Sequence, residues 1–476
     1  MNVRLGRGGY HSRVPAPSLP APGQPPWRRT AAVGAAGFAL GCLFLLLQLV
    51  RLDAVSLRWN AEARQPQVSL DVTAPFQVGT GWRLDEALTA RGIPARITPG
   101  HGYDGQWFLG LAYDPLLRDR LAGGFDMPRY RAGRPLQAMA GWLLAAGRTP
   151  AIPAALLLVG PLALALGAAA SGRLLAAFGR SRWWGLGFAL VPGVAVGVIF
   201  ATAEPLGLSL AVFGLSLALD GRVPAAGAAF AGAGLTKESY LVFAGAAALW
   251  LLWSRTAVTY PAPQGADALQ RASPAPSRPS GPEPCAPTPA PTQSPQNGML
   301  DRRSVRPLWR GLAGAALVLG PGVAALGAWW AYVARMIPGS AADANATEAV
   351  GPPLAGWAAT LRLAARGGYV PDFPVGPFGV VILAGSLALA LAGVVLGLRR
   401  RGPLDQTGLW LGLYGLVLSA ALLGHFLSAM RALAPTVLAT GLAAAAAFPA
   451  GAEPDKASPV GAGQHEFLAR DDQAIP

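Results

Sequence analysis

The residue types best suited to chemistry lie in one short segment, His101-Gly-Tyr-Asp-Gly-Gln-Trp-Phe108. From Tyr103 onward the spacing is helical and places Trp107 and Leu111 on the same face as Tyr103. Asp104 then lies at the start of the helix. A carboxylate at this position can accept a proton as a general base. It can equally cap the helix N-terminus, which is a common role for Asp, and the two roles are compatible.

Four further ionisable residues stand between apolar runs. Ionisable groups at membrane depth are costly to bury, and they point to functional sites. Glu204 precedes Pro205, so a simple turn acid is its alternative interpretation. Lys237 and Glu238 form either a self-neutralising pair with a snorkelling lysine or a point charge for a phosphate. Arg431, at the start of the last apolar run, is a further phosphate candidate.

The composition shows which elements must position these residues. The chain has 476 residues, of which 53% are hydrophobic and 13% are charged, against about 25% charged in a typical soluble domain. The 38 Lys and Arg residues outnumber 24 Asp and Glu residues, which gives a net charge of +14. These values argue against a soluble enzyme, a disordered chain or a disulfide scaffold. Because the arginines cluster at the ends of apolar segments, they favour a membrane protein over a nucleic-acid binder.

About ten membrane-spanning helices are predicted, since one crossing needs about 20 apolar residues. The first is Ala31–Val50, and the positive-inside rule places the Arg-rich tail before it in the cytoplasm. The other nine apolar runs are Pro150–Gly172, Trp183–Ala201, Pro205–Leu219, Val223–Leu235, Ser239–Trp253, Gly311–Tyr332, Pro377–Leu398, Gly408–Gly424 and Ala432–Phe448.

The segment Pro135–Gly147 is too short to cross easily, and it is predicted to lie at or dip into the outer interface. If it crossed instead, Arg173, Arg180 and Arg182 would move outside and violate the positive-inside rule. If Pro135–Gly147 does not cross, both termini are cytoplasmic. The polar residues that the positive-inside rule does not account for then gather at the outer face.

The predicted fold class is therefore an all-α polytopic membrane protein in the plasma (inner) membrane, with interfacial helices in a long first loop. The Pro-rich linker cannot bury enough apolar surface to fold and is predicted to be disordered, as is the C-terminal tail. The regions in chain order are a basic, disordered cytoplasmic tail (1–30), an N-terminal membrane module (31–254) with its extracytoplasmic loop (51–133), the cytoplasmic linker (255–308), a C-terminal membrane module (309–449) and the second tail (450–476).

The order of these motifs resembles the bacterial polytopic type C glycosyltransferases, especially the mannosyltransferase-like group related to phosphatidylinositol-glycan mannosyltransferases. It is also broadly similar to the protein mannosyltransferase and aminoarabinose transferase arrangement. The resemblance covers roughly Ala31–Phe448 without the linker. It rests on Tyr-Asp-Gly-Gln-Trp-Phe in the first outer loop, Arg129-Tyr-Arg131 before Arg134-Pro-Leu, Glu204-Pro-Leu206, Leu235-Thr-Lys-Glu-Ser239, and Arg431 followed by Pro435.

The resemblance implies a polyprenyl-phosphate sugar donor and an acidic catalytic base in the first outer loop, here Asp104. The loop has a single Asp-Gly rather than a tandem acidic pair, and Asp114 follows ten residues later, so a divalent cation stays open. Mannose is one candidate sugar, and a lipid, a glycan or a protein is the acceptor. A sugar on a phosphate already carries a good leaving group. One carboxylate therefore suffices for a single inverting displacement.

The sequence thus predicts a membrane glycosyltransferase with no assigned metal ligands, for which a divalent cation is possible, and with no nucleic-acid partner. A transporter or flippase and a non-catalytic membrane scaffold are the alternatives. Transport would distribute intramembrane charges along a path across the bilayer, whereas these charges gather at one mouth. The predicted catalytic residue is Asp104, and the predicted substrate-binding residues are Tyr103, Gln106, Trp107, Arg134, Glu204, Lys237, Glu238 and Arg431.

Overall fold

The structure, a computed structural model, is mostly helical. The predicted tails (1–30 and 450–476) fall almost entirely outside the described residues, and so does most of the predicted linker (255–308). The described residues are 30–60, 65–119, 121–256, 302–338, 354–365, 376–400, 403–416, 418 and 426–447.

Short strands and helices make up the first long loop, and longer helices make up most of the other described ranges. The strands are β1 Val55–Asn60, β2 Gln65–Leu70, β3 Val78–Gly79 and β4 Ile97–Thr98. The α-helices in these ranges are α1 Ala31–Arg51, α2 Leu84–Thr89, α3 Gly105–Tyr113, α4 Pro128–Ala132, α5 Leu136–Leu144, α6 Ile152–Ala177, α7 Pro192–Ile199, α8 Glu204–Leu219, α9 Val223–Thr236, α10 Leu241–Thr256, α11 Arg302–Met336, α12 Ala355–Ala365, α13 Gly376–Arg399, α14 Pro403–Leu416 and α15 Phe426–Ala447.

Four helices in the described ranges are long and apolar enough to cross a membrane: α1, α6, α11 and α15. A short 3₁₀ helix, Arg182–Phe188, and α7 bend by 61° at their junction and make a fifth candidate if they count as one span. The ten predicted apolar runs each contain a helix, but α8 and α9 have only 16 and 14 residues. Helices of that length fall short of the ~20 residues that one crossing requires.

Helix α1 packs on α6 through small residues. A Cβ atom placed on Gly37 would lie 2.8 Å from the Leu164 carbonyl oxygen and 2.9 Å from the Ala168 Cβ. Gly34 and Gly41 contact the same helix with similar closeness. Small residues let helix backbones approach in membranes, where packing rather than the hydrophobic effect holds helices together. The opposite side of α1 exposes leucines, as a lipid-facing surface does.

The first long loop, residues 51–133, contains two small sheets, so the all-α prediction is wrong for this segment. Strands β1 and β2 form an antiparallel hairpin, and β3 pairs with β4 in parallel. The signal for the hairpin is the period-two alternation of Val55, Leu57 and Trp59 with polar residues. The all-α prediction relied on the helical spacing later in the loop and gave this alternation too little weight. Helices α2, α3 and α4 fill the rest of the loop.

The loop is fastened to the C-terminal end of α11. The Trp329 indole nitrogen donates a hydrogen bond of 2.8 Å to the Ala132 carbonyl, and Arg129 Nε donates one of 2.7 Å to the Ile337 carbonyl. Gly133 lies against the Trp330 ring. These contacts fix α4 and the segment that leads into α5. With nine residues, α5 is only about 14 Å long, too short to cross a bilayer.

The α1–α6 contact gives a direct stability prediction. Gly37→Leu should lower the free energy of unfolding by about 1–3 kcal/mol, because the added side chain must push two backbones apart. Thermal unfolding of the purified protein in detergent measures the effect. Gly327→Leu on α11 is the matched control, since a Cβ there meets no atom within 4 Å. Equal melting temperatures for the two variants would contradict the packing.

Candidate functional site

The Asp104 carboxylate lies between two guanidinium groups. Its Oδ1 is 3.1 Å from Arg131 Nη1, and its Oδ2 accepts a hydrogen bond of 2.5 Å from Arg431 Nη1. Asp104 occupies the residue before α3, yet its side chain makes no capping hydrogen bond. The cap interpretation is therefore not how this carboxylate is used: it binds two cations instead.

Arg431 also binds a second carboxylate. Its Nη2 is 2.9 Å from Glu204 Oε1, and the Glu204 side chain is only 2% exposed. Glu204 further accepts a hydrogen bond of 2.5 Å from the Thr202 hydroxyl and lies 3.5 Å from Lys237 Nζ. Arg431 thus bridges Asp104 and Glu204, two predicted residues that are 100 positions apart in the chain.

A second pair stands beside this bridge. Arg134 binds Glu238 in a bidentate manner, with Nη2–Oε1 at 2.6 Å and Nε–Oε2 at 3.0 Å. Arg134 also donates to the Tyr130 hydroxyl at 2.6 Å, with its guanidinium 4.1 Å from the Tyr130 ring centre. The adjacent Lys237 and Glu238 therefore do not form the self-neutralising pair that the sequence allows. Lys237 pairs with Glu204, and Glu238 pairs with Arg134.

These residues form one electrically neutral network, called the charge cluster below. Since Arg131 also binds Asp126 at 2.8 Å, the cluster has as many carboxylates as cations. An anionic ligand can therefore compete with a carboxylate at one of the cations, or bind the Arg431 Nε–H, which has no hydrogen-bond partner among the described residues. The members are Asp104, Asp126, Glu204 and Glu238, together with Arg131, Arg134, Lys237 and Arg431.

Local backbone features bring the members of the charge cluster together. Gly105 begins α3 against the turn after α7, where a Cβ would collide with the Phe200 carbonyl oxygen. The ring of Tyr103 packs on the Phe200 ring with 4.1 Å between their centres. Glu204 opens α8 with proline at the next position, and the first turn is the favoured place for proline in a helix. Lys237 ends α9 in an extended conformation, which turns the chain toward α10.

The surroundings of Asp104 set its protonation. Burial alone would raise the pKa of the Asp104 carboxyl. The Arg131 and Arg431 guanidiniums lower this pKa by more than burial raises it, so the pKa lies well below its usual range. Burial raises the pKa of Tyr103 to about 12, against an opposing effect of Arg431. At neutral pH Asp104 is thus a carboxylate and Tyr103 a neutral hydroxyl. While both arginines hold it, Asp104 is a weak base.

The structure does not bring every predicted substrate-binding residue into the cluster. Gln106 accepts from the Gly79 backbone N–H at 3.0 Å and donates to the His101 carbonyl at 2.7 Å. Those bonds tie α3 to the loop. Trp107 is 2% exposed and packs in the loop core, and its ring centre lies 5.5 Å from the guanidinium of Arg131, a member of the cluster. Tyr103 also touches the cluster, with Arg431 5.8 Å from its ring centre.

Sequence reasoning missed Arg131, Asp126, Thr202 and Tyr130 as members or partners of the cluster. Arg131 had a usable signal, because a carboxylate at membrane depth needs a cation and Arg131 lies in the motif that approaches Arg134. The partners of the other three depend on the fold. Within the described ranges, no three His, Cys, Asp or Glu residues are close enough to hold a metal ion.

An apolar cavity of about 580 Å³ opens near the start of α15. It lies between α7, α13 and α15, and its walls carry only one hydroxyl side chain, that of Ser386. Met430 in its wall is the residue before Arg431 in the chain, and Arg431 itself is not one of the wall residues. The wall residues that matter most are Pro192, Gly193, Leu389, Met430, Leu433 and Val437.

Comparison with known proteins gives no match: no protein family, no curated protein and no solved structure is similar to this chain. The type C glycosyltransferase resemblance therefore rests on its short motifs alone. The charge cluster and the apolar cavity carry the remaining indications of function.

The bridge through Arg431 gives a prediction for a double-mutant cycle. Arg431→Met should lower the free energy of unfolding by about 3–5 kcal/mol, because it leaves Glu204 buried without its main cation. Adding Glu204→Gln should recover part of that loss, with a coupling of about 0.5–3 kcal/mol. Chemical unfolding in detergent measures both values. Arg148→Met, at an exposed position outside the cluster, is the control, and strictly additive effects would contradict the bridge.

Proposed function

We propose that this chain is an integral membrane glycosyltransferase that uses a polyprenyl-phosphate sugar and transfers the sugar to an acceptor hydroxyl, with mannose as one candidate. Asp104 acts as the general base. The observation that carries the proposal is the contact between Asp104 and Arg431, 327 residues apart in the chain, with an apolar cavity that reaches Met430, the residue before Arg431. A base, a cation and an apolar site together match the parts of a lipid-linked sugar and its acceptor.

The proposal includes a topology of ten spans in the plasma membrane, with both termini in the cytoplasm and the charge cluster at the extracytoplasmic face. The positive-inside rule supports it, since arginines follow α6 and α13. Asp104, Glu204 and Lys237 all stand at helix ends or in links between helices. A site at the ends of helices lies at the membrane surface, where a lipid presents its headgroup.

The donor fits the site in two parts. Its phosphate would bind Arg431 and Lys237, because guanidinium groups match phosphate oxygens bidentately and ammonium groups add a point charge. Its isoprenoid chain would occupy the apolar cavity, which has Met430 among its wall residues. The cavity volume of about 580 Å³ lies within the usual range of small-molecule sites. It would hold the first isoprene units, with the rest of the chain in the lipid.

The reaction is a single displacement with inversion. The acceptor oxygen attacks the anomeric carbon of the sugar, and Asp104 takes the hydroxyl proton. The bond between that carbon and the phosphate oxygen breaks, and its electron pair leaves with the polyprenyl phosphate. Phosphate is a good leaving group, so no general acid is needed. Arg431 and Lys237 stabilise the charge that develops on the departing phosphate.

The neutral charge cluster couples donor binding to the base. Because Arg431 already holds Asp104 and Glu204, the donor phosphate would compete with these carboxylates for its guanidinium. Once Arg431 turns to the phosphate, Asp104 keeps only Arg131 beside it and its pKa rises. A higher pKa makes the carboxylate a better base. The base would therefore be strengthened only when a donor is in place, and the scheme works with or without a divalent cation.

A transporter is the second candidate, and the 61° bend before α7 favours it. Discontinuous helices line the substrate sites of many transporters, and α7 borders the apolar cavity. A transporter would move its substrate across a sealed vesicle without breaking the sugar–phosphate bond. Release of free polyprenyl phosphate separates the two functions.

Asp104→Asn tests the role of the base. In nanodiscs containing polyprenyl-phosphate mannose or another polyprenyl-phosphate hexose, its sugar transfer should fall by about 10²–10⁴-fold, because general-base catalysis is lost. Chromatographic detection of polyprenyl phosphate measures turnover. Asp53→Asn makes the same chemical change in the same loop at an exposed residue with φ 51°, which Asn tolerates. Full turnover in Asp104→Asn would overturn the assignment.

A further inference from the structure

A second cavity, of about 440 Å³, opens in the first loop, away from the charge cluster. It lies between the segment that leads into α2 and the segment just before α4. Its walls combine aromatic rings, side chains of both charges, a hydroxyl and glycine backbone. The residues that matter most are Thr80, Trp82, Arg83, Glu86, Gly123 and Phe125.

The chemistry of the walls matches a neutral, hydroxyl-rich ligand. Arg83 and Glu86 are both exposed, and among the described residues neither side chain takes part in an ion pair. One offers hydrogen-bond donors and the other acceptors, and their charges cancel. Trp82 adds an apolar face with a polar edge. A saccharide has this pattern of apolar ring faces and hydroxyl edges. An anionic ligand would be repelled by Glu86, and a cationic ligand would be repelled by Arg83.

A series of contacts through Trp107 and then Arg131 connects the cavity wall to Asp104. The ring centres of Trp82 and Phe125 lie 6.1 Å and 5.2 Å from the ring centre of Trp107. The guanidinium of Arg131 is 5.5 Å from that same ring centre. Because Arg131 binds Asp104, a ligand in this cavity would sit within a few sugar lengths of the proposed base.

We propose that this cavity binds one part of a neutral saccharide. This inference rests on the proposed function in one respect: it takes the saccharide to be the acceptor of the transferred sugar. A hydroxyl of another of its sugar units would then lie at Asp104. The cavity volume of about 440 Å³ is in the range of small-molecule sites. Trp82 stacks on a sugar ring, while Arg83 and Glu86 bind its hydroxyls. The acceptor class is thus a short glycan rather than a simple alcohol.

Gly123 offers a clean way to close the cavity. It lines the wall, and a Cβ placed there meets no atom within 4 Å. Gly123→Phe should therefore fill the cavity without straining the loop. Gly187→Phe is the matched control, because Gly187 is equally open and lies outside the cavity. Trp82→Ala is a second variant that removes the stacking surface without adding volume.

The experiment is equilibrium dialysis of the full chain in nanodiscs against mannotriose, maltotriose and, as a charged probe, trigalacturonate. Wild-type protein and Gly187→Phe should bind at least one neutral trisaccharide with the same affinity and should not bind trigalacturonate. Gly123→Phe and Trp82→Ala should weaken that binding at least tenfold. Absence of neutral binding to the wild type, unchanged binding by Gly123→Phe, or preference for trigalacturonate would each overturn the proposal.

Binding is measured without donor, so it is independent of sugar transfer. If the wild type binds a trisaccharide but releases no polyprenyl phosphate from any donor, the saccharide site stands and the glycosyltransferase proposal fails. If transfer proceeds while Gly123→Phe leaves both transfer and binding unchanged, the enzyme proposal stands and the saccharide site fails.

Discussion

The structure depends on one guanidinium that holds two carboxylates. Arg431 is buried, and a buried charge is tolerated only with close partners. Asp104 and Glu204 are those partners, and they come from a loop and from the start of a helix far from α15 in the chain. Through this bridge the first loop, the N-terminal helices and the last described helix meet at one point. An ionic contact of this kind is a costly way to stabilise a fold, which is why it marks a site.

The remaining architecture places that bridge. Glycines let α1 lie close against α6, and Gly105 lets the loop reach the turn after α7. The end of α11 fastens the loop through Trp329, so that Arg131 and Arg134 face the carboxylates of the helices. The apolar cavity between α7, α13 and α15 and the polar cavity in the loop differ in chemical character. The exposed leucines of α1 are typical of a lipid-facing surface.

The sequence predicted which residues matter better than it predicted how they pair. Asp104, Glu204, Lys237 and Arg431 stood out because an ionisable group between apolar runs is expensive, and all four belong to the charge cluster. The pairing of the charged residues could not be inferred from the sequence. Glu238, for example, binds Arg134, which is 104 positions away, rather than the adjacent Lys237. Gln106 was chosen for its motif but serves the loop's own packing, whereas Trp107 both packs in the loop core and contacts Arg131. The apolar runs located the helices well, but a helix such as α8 or α9, with 16 and 14 residues, is shorter than one crossing requires.

The central claim is that a lipid phosphate takes Arg431 away from Asp104. The most direct measurement is an experimental structure of the protein in nanodiscs with an inert polyprenyl phosphonate analogue of the donor. We predict the phosphonate against Arg431 and Lys237, the isoprenoid chain in the apolar cavity, and the bond between Asp104 and Arg431 broken. A phosphonate bound elsewhere, with that bond intact, would contradict the claim.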